Sequence, residues 1–304
     1  MKITVIGAGA MGCLHGARLA HSGHDVMLID VRRDVVDAIN RDGVHVDGVG
    51  GELHVSMRAQ TDDDATGPAD AVFVLAHTDG SQDAARTASR IIADEGYAIT
   101  LQNGIGNVEA LTDALGRQRV LGGNSFNSAS STGPGRVTHT NRGPTTIGEL
   151  DGTETDRARS LRDALEQAGI PTQISGNVMG VIWSKFIHSC AITPICAVTG
   201  MRAGMIAGCP SADSLQDRIL QELLAVARAR RIKLADDDPA PAIKEVCRTS
   251  PVKPSMLQHV EQGRPTEIDA LNGALLREAK AVGIETPYNE AITLMVKALD
   301  EKNL

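Results

Sequence analysis

Hydrophobic and polar positions change their rhythm near residue 175. Before it, short apolar runs alternate with amphipathic stretches. Ile3, Val5 and Ile6 form a strand pattern, and Leu14, Ala17 and Leu19 mark a helix. Residues 26–29 are a second strand, and Val35, Val36, Ala38 and Ile39 a second helix ending near Gly43. Short strands are expected across 44–57, around a glycine-rich turn at 47–51. The run 71–76 is apolar throughout, as in a parallel strand buried on both faces. A helix over 81–93, a strand over 98–101, a helix over 156–168 and a strand over 172–175 complete the alternation. Residues 119–150 are strand-like, and 137–140 is expected to pair with 145–148. From about 177 the pattern is helical, with proline-rich joints at 239–241, 251–254 and 287. The prediction is an α/β domain over 1–175 and an all-α domain over 176–304.

The first strand runs straight into Gly7-Ala8-Gly9-Ala10-Met11-Gly12. The three glycines have G-x-G-x-x-G spacing, between a strand and a helix. Gly7 permits the tight turn, Gly9 lets the backbone approach a pyrophosphate, and Gly12 lets helix and strand pack closely. Amide N–H groups at the helix start then face the phosphates. Asp30 ends the second strand, about 20 residues on, where a ribose hydroxyl is read. Asp30 favours NAD slightly, while Arg32 or Arg33 would suit the 2′-phosphate of NADP. His77 and Asn103 follow the next two strands and are candidates for the cofactor edge. Asn103 is equally a plain Asn-Gly turn residue.

Bulk properties narrow the field. The chain has 304 residues, 42% hydrophobic, 22% charged and a net charge of −8, so nucleic acid and anionic membranes are poor partners. Aromatic residues are only 2% of the chain, too few for an extended base-stacking surface. The five cysteines have no metal-ligand spacing and read as reduced thiols of a cytoplasmic protein. No apolar run is expected to cross a bilayer, and no signal peptide precedes the first strand.

Residues 177–193 are apolar nearly all round, the mark of a buried helix. Yet Lys185, Ser189 and Thr193 recur every four residues along one stripe, with Asn177, Ser184 and His188 beside it. A lysine in such a helix needs a purpose or a partner. Burial lowers its pKa towards values useful for proton transfer, and hydride delivery to a carbonyl requires a proton at the oxygen. His188 is the alternative acid, although a lone histidine more often serves structure. Further on, Thr266 and Asp269 have capping-box spacing. Glu267 would then sit in a first helical turn, either complementing the dipole or facing Lys185 as a charge partner.

The glycine fingerprint, Leu-Gln-Asn-Gly at 101–104, Trp-Ser-Lys at 183–185, Ser-Met-Leu-Gln at 255–258 and Thr-Glu-Ile-Asp at 266–269 occur in that order. Together they resemble the ketopantoate reductase (2-dehydropantoate 2-reductase) family, over essentially the whole chain. The resemblance implies an N-terminal Rossmann-type α/β domain, a C-terminal domain like that of 6-phosphogluconate dehydrogenase, an active site between the domains and a homodimer. It implies NAD(P)H-dependent reduction of a 2-keto acid to the 2-hydroxy acid. Lys185 would be the general acid, Asn103 would adjoin cofactor and substrate, Ser255 would contact the substrate carboxylate, and Glu267 would hold substrate or ribose near the lysine.

Several positions depart from that family's pattern. His77 replaces a lysine, Ser189 and Thr193 replace two asparagines, and His259 replaces an aspartate. An amide exchanged for a hydroxyl shortens the reach and removes donors, so Ser189 and Thr193 bear on which keto acid fits. A β-hydroxyacid dehydrogenase and a non-catalytic nucleotide sensor are the alternatives. The 255–269 segment argues against the first, and the presence of both Lys185 and Glu267 against the second.

Overall fold

In the computed structural model, which describes residues 1–302, a buried strand meets a helix at once. Strand β1 (Lys2–Ile6) leads into α1 (Ala10–His21), β2 (Asp25–Ile29) and α2 (Arg33–Asp42). Three short strands follow, β3 (Val44–Gly48), β4 (Leu53–Val55) and β5 (Arg58–Gln60). Next come β6 (Ala69–Val74), α3 (Ser81–Ile91), β7 (Ile92–Thr100) and α4 (Asn107–Leu115). The α/β part ends with β8 (Val120–Ser125), β9 (Ser128–Gly133), β10 (Arg136–Asn141), β11 (Thr145–Glu149), α5 (Asp156–Gln167) and β12 (Thr172–Ile174). The helices are α6 (Val178–Thr199), α7 (Pro210–Ala229), α8 (Ala240–Thr249), α9 (Ser255–Glu261), α10 (Asn272–Val282) and α11 (Pro287–Lys302).

The chain forms two compact units. One contains Met1–Gln102 and Gly106–Val178, and the other contains Asn103–Ile105 and the residues from Met179 onward. The first is built on an eight-stranded sheet, order β12-β11-β8-β7-β6-β1-β2-β5. It is parallel from β8 to β5, and β11 runs antiparallel to β8. Strand order reverses at β1, which lies between β2 and β6. Ile6 is in register with both Ile29 and Val74, so the three strands end level. Such a reversal opens a crevice at the strands' C-terminal ends, where α/β sheets bind ligands.

A second sheet, order β4-β3-β10-β9, packs on α1 opposite the main sheet. Covered on both sides, α1 buries Cys13, Leu14, His15, Ala17 and Leu19. This sheet corrects one expectation. Residues 137–140 pair with β3 and β9, while 145–149 pair with β8 and β12, so the two segments are not partners. The loop between them carries the chain from one sheet to the other.

The second unit is helical. Among its elements α6 corrects another expectation, because it has the length and apolar composition of a membrane span. Most of it is buried in the protein, and its apolar residues serve as core. The five cysteines are free, and four of them are buried.

Candidate active site

In the first unit Gly7 and Gly12 do what their spacing requires. Gly7 has φ +100°, and a Cβ there would stand 2.5 Å from the Ala76 nitrogen. A Cβ on Gly12 would lie 1.8 Å from the Gly7 carbonyl oxygen, whereas one on Gly9 would project into open space. Gly9 is the N-cap of α1 with no side chain capping it. Ala10 and Met11 form the first turn, so their N–H groups lie at the positive end of the helix dipole. The Cys13 thiol, held protonated by burial that pushes its pKa up to about 12, donates to the Ala8 carbonyl at 3.2 Å. The loop thus leaves backbone N–H groups at a helix N-terminus with no side chain over them, an arrangement that suits an anion.

Asp30 braces this loop. One carboxylate oxygen accepts from the Ala8 N–H at 2.8 Å, and the other from the Arg32 N–H at 2.9 Å. Carboxylate oxygens have further lone pairs, so ribose hydroxyls can still be read. Arg33 pairs with Asp64 at 3.5 Å, and both are exposed. Arg32 is exposed and has no carboxylate partner among the described residues. His77 follows β6, exposed, with Nδ1 3.1 Å from Asp79.

Gln102 has an inward role that its sequence position did not announce. Its amide donates to the Ala76 carbonyl at 2.7 Å and to Ser81 Oγ at 2.8 Å. Thr100 Oγ1 donates to its oxygen at 2.8 Å, and Ser81 donates to buried Asn107 at 2.8 Å. These bonds fasten the loop after β7 to the loop after β6. The hint in the sequence was an amide at a strand's end, which reads equally well as pointing outward.

In the second unit α6 is buried except along one stripe. From residue 180 to 197 only Val181, Ser184, Lys185, His188, Ser189 and Thr193 are partly accessible. These positions recur at three- and four-residue intervals, so they share one face. Burial pulls the Lys185 ammonium down to about 8, and the negative charge of Glu267 partly offsets that pull. His188 is held below its ordinary value by burial and by the Lys185 charge, which favours the neutral imidazole. Thr193 Oγ1 lies 4.0 Å from the sulfur of buried Met256. Ser184 is committed elsewhere, accepting from the Ala235 N–H at 3.1 Å.

Ser255, the first residue of α9, donates its hydroxyl to the Glu267 carboxylate. The Asn103–Ile105 turn belongs to this same unit, where a Cβ on Gly104 would stand 2.5 Å from the Ala270 carbonyl oxygen. Asn103 is therefore held beside the segment that follows Glu267. Thus Lys185, Glu267, Ser255, Ser189, Thr193 and Asn103 gather in one unit. Gly7 to Gly12, Asp30, Arg32 and His77 gather in the other.

The capping box at Thr266 does not form. Helix α10 begins at Asn272, and 267–271 are a bend and turns. Thr266 donates instead to Asp300 at 2.7 Å, and its N–H points to the same carboxylate. Glu267 therefore stands in a turn, and the reading in which it complements a helix dipole falls away.

Two family models together span nearly the whole chain. One, described as ketopantoate reductase PanE/ApbA, matches residues 3–152, and its C-terminal counterpart matches 177–300. The chain belongs to the ketopantoate reductase family. Members of that family with curated names include the 2-dehydropantoate 2-reductase of Pyrococcus horikoshii. It is 33% identical over 298 residues, covering 98% of this chain and 97% of the relative. A PanE/ApbA family ketopantoate reductase from Ralstonia eutropha JMP134 superposes with a TM-score of 0.89 at 32% identity, covering 100% and 99% of the two chains. D-mandelate dehydrogenase, in a ternary complex with NADH and anilino(oxo)acetate, gives the same TM-score at 25% identity and the same coverage. The chain is an NAD(P)-binding oxidoreductase of this family, with an α/β unit followed by a helical one.

Proposed function

We propose that this protein reduces a 2-keto acid, 2-dehydropantoate or a close relative, to the 2-hydroxy acid with Lys185 as the proton donor. The observation that carries the reading is Lys185 itself. It is a charged residue on the one accessible stripe of a buried helix, beside Glu267, with its pKa brought down to about 8. An ammonium of that acidity remains charged at neutral pH, so it can polarise a carbonyl oxygen and then give up a proton to it. Reduced nicotinamide dinucleotide, when bound, supplies the hydride. Gly7, Ala8, Gly9, Ala10, Met11 and Gly12 hold its pyrophosphate, Asp30 and Arg32 its adenosine ribose, and His77 and Asn103 flank the nicotinamide end. Glu267 keeps Lys185 protonated, and the single O–H of Ser255, given to the Glu267 carboxylate in the free protein, turns to the substrate carboxylate when the keto acid binds. Ser189 and Thr193 read the rest of the keto acid.

The likeness to D-mandelate dehydrogenase favours a second reading, in which the substrate carries an aryl group beside the keto acid. Ser189 and Thr193 offer shorter polar groups than amides would, which leaves more room along the stripe. Oxidation of NADH and NADPH against a panel of 2-keto acids tests both readings. Strong turnover of 2-dehydropantoate supports the first, and turnover of aryl keto acids alone supports the second. Lys185→Ala is expected to lower kcat by about 100-fold or more while cofactor still binds. Undiminished turnover in that variant would rule the mechanism out.

A further inference from the structure

Helix α6 contains Pro194, and a proline inside a helix has no N–H to give the carbonyl four residues earlier. That carbonyl belongs to Cys190, which is fully buried between Ser189 and Ala191. An orphan carbonyl in a dry core costs free energy unless another donor reaches it. Asn272, at the start of α10 and fully buried, donates its amide to the Cys190 carbonyl at 3.2 Å. The same amide nitrogen donates to Asn289 Oδ1 at 2.9 Å, so both of its protons are used. The Asn289 amide in turn donates to Glu222 at 2.7 Å, and Glu222 also accepts the Tyr288 and Asn289 N–H groups at the start of α11. On the next carbonyl of α6, Ala191, the buried amide of Gln216 from α7 donates at 3.1 Å. Two buried amides from two neighbouring helices thus hold the turn of α6 where proline interrupts it.

That turn joins Lys185 and Ser189 to Thr193. We infer that Asn272, seconded by Gln216, is a positioning residue for the reaction: by capping the Cys190 carbonyl it fixes the angle at which the Lys185–Ser189 half of α6 meets Thr193. It touches no substrate and acts through the helix. The inference rests on the proposal that Lys185 is the proton donor. Placing a donor correctly matters, since errors of about 1 Å at a reacting group cost up to about 100-fold in rate.

The test is a double-mutant cycle between Asn272→Ala and Pro194→Ala, read by kcat, KM for the keto acid, the pH dependence of kcat and cofactor Kd. Pro194→Ala restores an N–H that can satisfy the Cys190 carbonyl from within the helix. Asn272→Ala is expected to lower kcat about tenfold and displace its alkaline limb, with cofactor Kd unchanged. In the Pro194→Ala background the same change is expected to cost less than about threefold. A melting temperature that falls while kcat and the pH profile hold would overturn the inference, as would an equal loss in both backgrounds. Gln216→Leu, which removes the amide on the Ala191 carbonyl together with its contact to the Cys247 sulfur at 3.0 Å, asks the same question by a second route should Asn272→Ala fail to accumulate. Lys185→Ala run alongside separates the two ideas. Turnover surviving that change refutes the proposed function itself. Turnover lost there but intact in Asn272→Ala refutes only the positioning role.

Discussion

At the scale of single residues, Lys185 makes a signed prediction. A general acid works in its protonated form, so kcat for reduction should fall as pH rises through about 8. Glu267 raises the lysine's pKa against the pull of burial. Glu267→Gln should therefore move the alkaline limb to lower pH, as a kcat profile would reveal. Asp30 carries a prediction with two parts. Its charge disfavours a 2′-phosphate, so NADH should give the higher kcat/KM, and Arg32→Ala should depress the remaining use of NADPH. But Asp30 also braces the Ala8 and Arg32 N–H groups. Asp30→Ala should consequently weaken both dinucleotides while narrowing the gap between them, as fluorescence titration would show. Its place at a strand's end was readable from spacing; its bracing of the loop was not, because backbone N–H directions are set by the folded turn.

At the scale of elements, α1 and α6 pose opposite problems. The α6 stripe was legible, because polar residues at helical spacing inside an apolar helix have few explanations. The burial of α1 was less so. Its cover on the side away from the main sheet comes from β3, β4, β9 and β10, and the 137–140 and 145–148 segments were read as one hairpin when they lie in different sheets. Short strands rich in Ser, Thr and Gly specify their partners weakly, so pairing falls to long-range contacts. The cover has an energetic effect. His15 is fully buried on α1, its Nδ1 donates to the Met11 carbonyl at 2.9 Å, and its pKa falls from 6.5 to about 4. Desolvation is the main cause; His139 and Arg18 add repulsion. The unfolded chain therefore binds the proton more tightly, and stability should decline as pH drops from about 6.5 to about 4, by about 3 kcal/mol in all. Denaturant melts at pH 7 and pH 4.5 should show that decline, and His15→Gln should flatten it. Thr266 shows the limit of local signals: its capping spacing was met, yet a carboxylate 34 residues away took its hydroxyl.

At the scale of the molecule, the change from α/β to helical character was written in the periodicity of the chain. What no periodicity could convey is that three residues of the first half, Asn103–Ile105, pack with the second unit. Gly104 has φ +88°, and a Cβ there would stand 2.5 Å from the Ala270 carbonyl oxygen. Gly104→Ala should thus strain the backbone and displace Asn103. We expect a loss of a few degrees in melting temperature and a rise in KM for the keto acid. An unchanged KM would separate the turn from substrate binding.

The same excursion governs how such proteins can be recombined. A cut at residue 178 looks like a clean joint for exchanging helical halves between relatives. It would nonetheless leave a foreign tripeptide lodged against the imported half, facing a different neighbour from the one it was fitted to. Chimeras that also transplant residues 103–105 should fold and turn over better than those joined at 178 alone. Lineages that diversify their substrates by swapping the helical half must then carry a second, distant patch of sequence along with it.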